Sequence, residues 1–147
     1  MKTVKLLIFS DIHSDARALE RLMATDADYY FCAGDLVNFS RGLDAMGEIL
    51  KKRGDRVYVI PGNHESAQQV TDLCGRFGLN DFHGARIEIG GFQIVGLGYS
   101  NPTPFDTPGE YSEEEMADRL AKLAKPKPLV MICHAPPFRG SRGRRAR

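Results

Sequence analysis

The stretch Val4-Lys5-Leu6-Leu7-Ile8-Phe9-Ser10-Asp11-Ile12-His13 is a short, nearly continuous apolar run that stops at a carboxylate and an imidazole. Such a run, too short for a helix and with little polar alternation, is the mark of a strand covered on both faces, as in parallel sheets lying between layers. The same construction recurs along the chain. Residues 29–33 run into Gly34-Asp35-Leu36-Val37-Asn38, residues 57–60 into Pro61-Gly62-Asn63-His64-Glu65, and residues 129–133 directly into His134. Each run is expected to be a central strand. In an open α/β sheet the carboxyl ends of the strands line one crevice, so parallel pairing would gather these polar termini from distant parts of the sequence.

Helical periods lie between the runs: Leu19, Leu22 and Met23, then Leu43, Met46 and Leu50, then Val70, Leu73, Cys74 and Phe77. Spacings of three, four or seven give each helix one apolar face with which to cover the sheet. A fourth helix is delimited by Ser112 and Glu115, which form a capping box, and by Pro126 and Pro128 beyond its apolar stripe of Met116, Leu120 and Leu123. Residues 86–89 and 92–95 flank Gly90-Gly91 and predict a hairpin. Residues 96–109 hold three prolines and three glycines, too many for an element interior, and are expected to form an ordered loop of the kind that carries function.

The chain has 147 residues, 42% hydrophobic and 27% charged, which suffices for one domain with a core that needs neither disulfides nor a structural metal. Its 20 basic and 19 acidic residues nearly cancel, but five of the arginines fall in residues 139–147, leaving the remainder acidic by about four charges. Residues 1–138 are read as the domain and 139–147 as a disordered Arg/Gly-rich tail. A basic tail could touch nucleic acid, but the body has no basic stripe, so a nucleic-acid partner is disfavoured. No apolar stretch approaches the roughly 20 residues that cross a bilayer. Cys32, Cys74 and Cys133 are odd in number and set among apolar neighbours, which predicts buried thiols in a reducing compartment, the cytoplasm.

Asp11 and His13, two apart at an extended strand end, would point to the same side and could bind one cation. Asp35 has two oxygens with which to bridge two ions, and Gly34 and Gly62 would let the backbone come close or adopt a turn closed to other residues. Nitrogen and oxygen donors without a thiolate favour Mn, Fe, Zn, Co or Ni over a structural zinc. Two such ions about 4 Å apart would clamp the attacking and leaving oxygens of a phosphoryl displacement.

Asp11-x-His13, Gly34-Asp35-x-x-Asn38, Gly62-Asn63-His64-Glu65 and the strand-terminal His134 resemble, in order and placement, the motifs of the calcineurin-like metallophosphoesterase family. The loop from Gly98 to Gly109 is similar to that of a group of small prokaryotic phosphoesterases. The resemblance implies two packed mixed β-sheets flanked by helices, and hydrolysis of a small phosphomonoester or phosphodiester by a hydroxide between two divalent ions. It would place Asp11 and His13 on the first ion, Asp35 on both, and Asn63 and His134 on the second. His64 would not bind metal but would face the phosphate and assist catalysis. Family members end in a Gly-His-x-His motif, whereas this chain's histidines are His13, His64, His83 and His134. A C-terminally truncated member is therefore expected, with weaker metal retention, lowered activity and self-association through exposed sheet edges. The alternative is a catalytically silent metal-binding or interaction module derived from such an enzyme.

Taken singly, an Asp after a strand is often a helix cap. The joint pattern favours the site for Asp11, His13, Asp35, Asn63, His64 and His134. Asn38 could orient Asp35, line the pocket or cap the helix starting near Ser40. Glu65 is expected to begin the next helix, and His83 to be structural. Asn101, Thr103 and Asp106 could touch substrate or serve the turns of their own loop, and Cys133 should point away from His134 into the core.

Overall fold

A computed structural model describes residues 3–125 and 129–136. Strands β1 (Leu6–Phe9), β2 (Tyr29–Cys32), β3 (Val57–Val59) and β4 (Asn80–Asp81) pair in that order as a parallel sheet. The crossovers are α1 (Ala16–Ala24), α2 (Leu43–Leu50) and α3 (Ala67–Phe77). Strands β5 (Arg86–Ile89), β6 (Phe92–Leu97) and β7 (Leu129–Cys133) make a second sheet, antiparallel between β5 and β6 and parallel between β6 and β7. The expected architecture of two sheets flanked by helices is present, with the first sheet parallel and the second mixed.

Strand alternation sorts the core into layers. Tyr30 and Cys32 face the helices and pack with Leu19, Met23, Leu50 and Leu73. Phe31 and Ala33 face the other way, into an inter-sheet layer shared with Ile60, Phe82, Ile94 and Ile132. Helix α4 (Glu113–Leu123) covers the outer face of the second sheet, where Met116, Leu120 and Leu123 meet Leu97, Tyr111 and Cys133. Cys133 thus points away from the inter-sheet layer occupied by its neighbour Ile132.

Among the described residues β1 and β7 stand at sheet edges rather than at the centre. Their apolar character reflects the layers above and below them, which a sequence pattern cannot separate from a central position. The hairpin register pairs Ile89 with Phe92, leaving Gly90 and Gly91 as a two-residue turn with φ of 58° and 85°, which favours glycine at both positions. Ser112 caps α4 by accepting the Glu115 N–H at 3.1 Å. The reciprocal half of the box is not made there, because the Glu115 carboxylate holds Arg119 at 2.9 Å. A complete box forms instead at Ser66 and Gln69, at the start of α3. Pro126, Pro128 and the tail at 139–147 lie outside the described residues.

Candidate metal centre

The backbone lays the loop after β1 along the loop after β2. Asp11, His13 and Ser14 donate their N–H groups to the carbonyls of Gly34, Asp35 and Leu36 at 3.0, 3.0 and 2.8 Å. Asp11, His13, Ser14 and Asp35 all take left-handed φ, between 48° and 66°. For residues other than glycine this costs of order 1 kcal/mol or more each, and it persists only where the surroundings enforce it. Asp11 and His13 therefore converge through left-handed turns. The extended strand end assumed for them is absent, since β1 stops at Phe9.

Convergence also takes a different route from the single sheet first supposed. His134 follows β7 in the second sheet, and its Nδ1–H donates to the Ala33 carbonyl at the end of β2, 2.8 Å away. Ile132 and Ala33 share the inter-sheet layer, so the crevice lies at the common carboxyl end of two sheets. Strand β6 ends at the same edge, and the loop after it is tied to the Asn63 turn by Tyr99 N–H to Pro61 O at 2.9 Å and Gly109 N–H to Asn63 O at 2.8 Å.

Asp35 forms the floor, 3% exposed. Its Oδ1 accepts the His64 backbone N–H at 3.0 Å. Its Oδ2 alone faces both imidazoles, 3.3 Å from His134 Nε2 and 3.8 Å from His13 Nε2. His13 Nε2 lies 3.2 Å from Asp11 Oδ1, and His134 Nε2 lies 3.1 Å from Asn63 Oδ1. The five residues predicted as ligands are thus brought together.

Both of these rings are anchored through Nδ1, His13 on the Asn38 side-chain oxygen at 2.7 Å and His134 on the Ala33 carbonyl. Because an oxygen acceptor holds Nδ1–H, the neutral ring carries its lone pair on Nε2, where it meets more acceptors. Acceptors aimed at one another attract a proton or a cation. Burial alone would lower the proton affinity of His134, but Asp35 beside it outweighs burial and leaves it raised. Burial likewise pushes the Asp35 carboxyl up, yet the bonds from His134 and from the His64 N–H hold it below the ordinary carboxylate range.

His64 carries the opposite tautomer. Its Nδ1 accepts the Phe39 N–H at 3.1 Å, so the proton of the neutral ring sits on Nε2. The trio His13, Asp35 and His64 is close enough to hold an ion, as is Asp11, Asp35 and His134, each with ligating atoms within 4.8 Å. The tautomer nevertheless makes His64 a donor in its neutral form. Its ring packs edge-on against Phe39 at 4.8 Å and His13 at 5.4 Å.

Two neighbours have functions other than those expected. Glu65 does not begin a helix: it is wholly buried, and its Oε1 accepts the Asp35 and Gly62 N–H groups at 2.9 and 3.3 Å. Burial pushes its carboxyl up to about 7, and its Oε2 has no hydrogen-bond partner among the described residues. Its spacing from Gly62, three residues, is that of a side chain reaching back to a turn N–H, a signal the chain does contain. Asn38 neither orients Asp35 nor caps α2, whose N-cap is Gly42; it holds the His13 ring. His83 is structural, accepting the Gly98 N–H at 2.9 Å and meeting the Tyr111 hydroxyl at 2.8 Å. Sequence reasoning also missed Glu110 and Thr107, which organise the loop beside Asn63. Thr103 belongs with them, its hydroxyl 2.6 Å from the Glu110 carboxylate.

The donor set suits divalent cations: a buried carboxylate oxygen shared by two imidazoles in the ligating tautomer, flanked by a second carboxylate and an amide oxygen, with no thiol among them. A helix–sheet–sheet–helix sandwich with such a cluster at its strand ends defines a class of metal-site α/β proteins. Within that class, the chain belongs to the calcineurin-like phosphoesterase family, whose model matches residues 4–146. It is 33% identical over 141 residues to MJ1162, an uncharacterized protein of Methanocaldococcus jannaschii, covering 94% of this chain and 63% of that one. The chain therefore spans somewhat less than two thirds of the length of this curated relative. Its fold is similar to that of TT1561 of Thermus thermophilus, with a TM-score of 0.66 at 20% identity, over 88% of this chain and 67% of that one.

Proposed function

We propose that the protein hydrolyses a small phosphate ester, monoester or diester, with divalent cations held by Asp11, His13, Asp35, Asn63 and His134. The observation that carries this is Asp35 Oδ2 placed between two Nε2 lone pairs, 3.3 and 3.8 Å away, which leaves a cation or a proton as the partner common to all three. Two ions, manganese among the candidates, are the occupancy proposed, with Asp35 common to both. Such cations supply Lewis acidity, polarising phosphoryl oxygens and making water a nucleophile at neutral pH. His64 presents Nε2–H to a phosphoryl or leaving-group oxygen, and Phe39 keeps that proton in place. Asn38 and Ala33 hold the two ligating rings at fixed angles.

The proposed setting is the cytoplasm, supported by three free thiols. Among the described residues, no helix is long and apolar enough to cross a membrane. The test is direct: titrate the metal-depleted protein with Mn, then assay bis(p-nitrophenyl) phosphate and p-nitrophenyl phosphate. Mn uptake with turnover of either, both lost in Asp35→Asn, is the expected result. Uptake with no turnover of either would identify a silent metal-binding module, and no uptake would remove the proposal altogether.

A further inference from the structure

The loop after β6 is built around one carboxylate. Glu110 accepts the Thr103 N–H at 3.2 Å, the Thr103 hydroxyl at 2.6 Å, the Thr107 N–H at 2.8 Å and the Thr107 hydroxyl at 2.6 Å. An ionised carboxylate only accepts, so each hydroxyl spends its single proton on Glu110. The Thr107 oxygen is then left as an acceptor. Thr107 is buried, 5% exposed, and its hydroxyl oxygen receives the Asn63 side-chain Nδ2–H at 3.1 Å. With its amide nitrogen engaged there, Asn63 turns Oδ1 the other way, 3.1 Å from His134 Nε2.

We infer that Thr107 and Glu110 are positioning residues that fix the Asn63 amide with its oxygen toward the metal ligands and its nitrogen away from them. The inference rests on the proposed metal centre. The two ends of an amide have nearly the same shape and opposite chemistry: Oδ1 can ligate a cation, whereas Nδ2–H repels one. Packing alone does not select between them. The polarity of the chain from Asn63 through Thr107 to Glu110 does, because it starts from a group that cannot donate. The closed turn helps, since Gly109 N–H to Asn63 O at 2.8 Å fixes the backbone from which the amide projects.

Mn binding is measured by calorimetric titration of the whole chain. Thr107→Val keeps the shape and removes the hydroxyl, and an affinity about 10- to 100-fold weaker is expected, the range seen when an outer partner of a ligand is lost. Thr107→Ser restores the hydroxyl and should return affinity to within a few-fold of the original; a merely packing role would not be rescued this way. Glu110→Leu removes the acceptor and should weaken binding similarly, which serves the test if the valine variant fails to fold. In the unaltered protein, NMR should show the Asn63 side-chain amide protons exchanging more slowly than those of an exposed Asn. Wild-type affinity in Thr107→Val or Glu110→Leu, or fast exchange at Asn63, would overturn the inference with the metal centre intact. Absence of Mn binding by the unaltered chain would instead defeat the metal centre itself.

Discussion

Gly62→Ala is the sharpest single test of the site's construction. Gly62 does not have the positive φ that would by itself favour glycine, so its backbone accepts any residue and only space forbids a side chain. An added Cβ would overlap Asp35 Oδ1 and lie 2.5 Å from the Asp35 backbone nitrogen, where ordinary contact begins at 3.4 Å. The Asp35 backbone must therefore retreat by about 0.9 Å, taking with it the carboxylate that faces both imidazoles. Overpacking of this kind costs about 1–3 kcal/mol, and displacing the carboxylate proposed to hold metal should weaken Mn binding by about 10- to 100-fold, as losing an outer partner of a ligand does. Urea unfolding and Mn titration read the two effects separately. Gly75→Ala, in α3, is the control: nothing lies within 4 Å of its added Cβ, and relief of helix-interior glycine should stabilise by about 0.5–1 kcal/mol. If Gly62→Ala matched the unaltered protein in both stability and Mn affinity, the close approach of Gly62 to Asp35 would not be what places the carboxylate.

His64→Ala should lower turnover by about 100-fold or more at saturating Mn while leaving Mn affinity within a few-fold, whereas His134→Ala should weaken Mn binding itself; the two titrations and the two rates separate donor from ligand. Burial pushes the Cys74 thiol up to about 12 and the Cys133 thiol up to about 11, and raises Cys32 as well, so Ellman's reagent at pH 8 should label the native chain slowly and all three thiols promptly in guanidinium. Hydrogen bonds from Thr103 and Thr107 hold the Glu110 carboxyl at about 2, below its ordinary 4.5. Its contribution to loop order is then full above about 4.5 and lost as pH falls toward about 2. Near-ultraviolet circular dichroism of Tyr99 and Tyr111 should show that acid step, and Glu110→Gln should lack it.

Those parts of the fold that depend on local pattern were legible. The apolar runs, the helical periods, the two-glycine hairpin and the N-cap at Ser112 follow from side-chain spacing and turn chemistry, and the structure contains them within a residue or two. Edge versus centre was not legible, because the apolar faces of β1 and β7 answer to layers above and below and say nothing of lateral neighbours. The partition of strands between two sheets was equally hidden. A run ending in His134 looks the same whether it extends the first sheet or begins at the side of β6, and the choice rests on inter-sheet contacts between residues about a hundred positions apart, such as Ala33 and His134.

The candidate site divides along the same line. Its members could be named from strand-end position, but their chemical states could not, because three histidines of one residue type are differentiated by atoms that sequence does not place. An Asn38 oxygen and an Ala33 carbonyl on Nδ1 leave His13 and His134 with Nε2 lone pairs, while a Phe39 N–H on Nδ1 leaves His64 with an Nε2 proton. Two of those three partners are backbone groups, whose direction depends on φ and ψ rather than on side-chain identity. The Ala33 carbonyl is flanked by Gly34 at φ 97°, and the Phe39 N–H belongs to a residue at φ 46°. Backbone conformation and tautomer choice are thus linked at two of the three rings: a positive φ that glycine adopts freely flanks the carbonyl on His134, and a strained one at Phe39 carries the N–H that leaves His64 able to donate a proton.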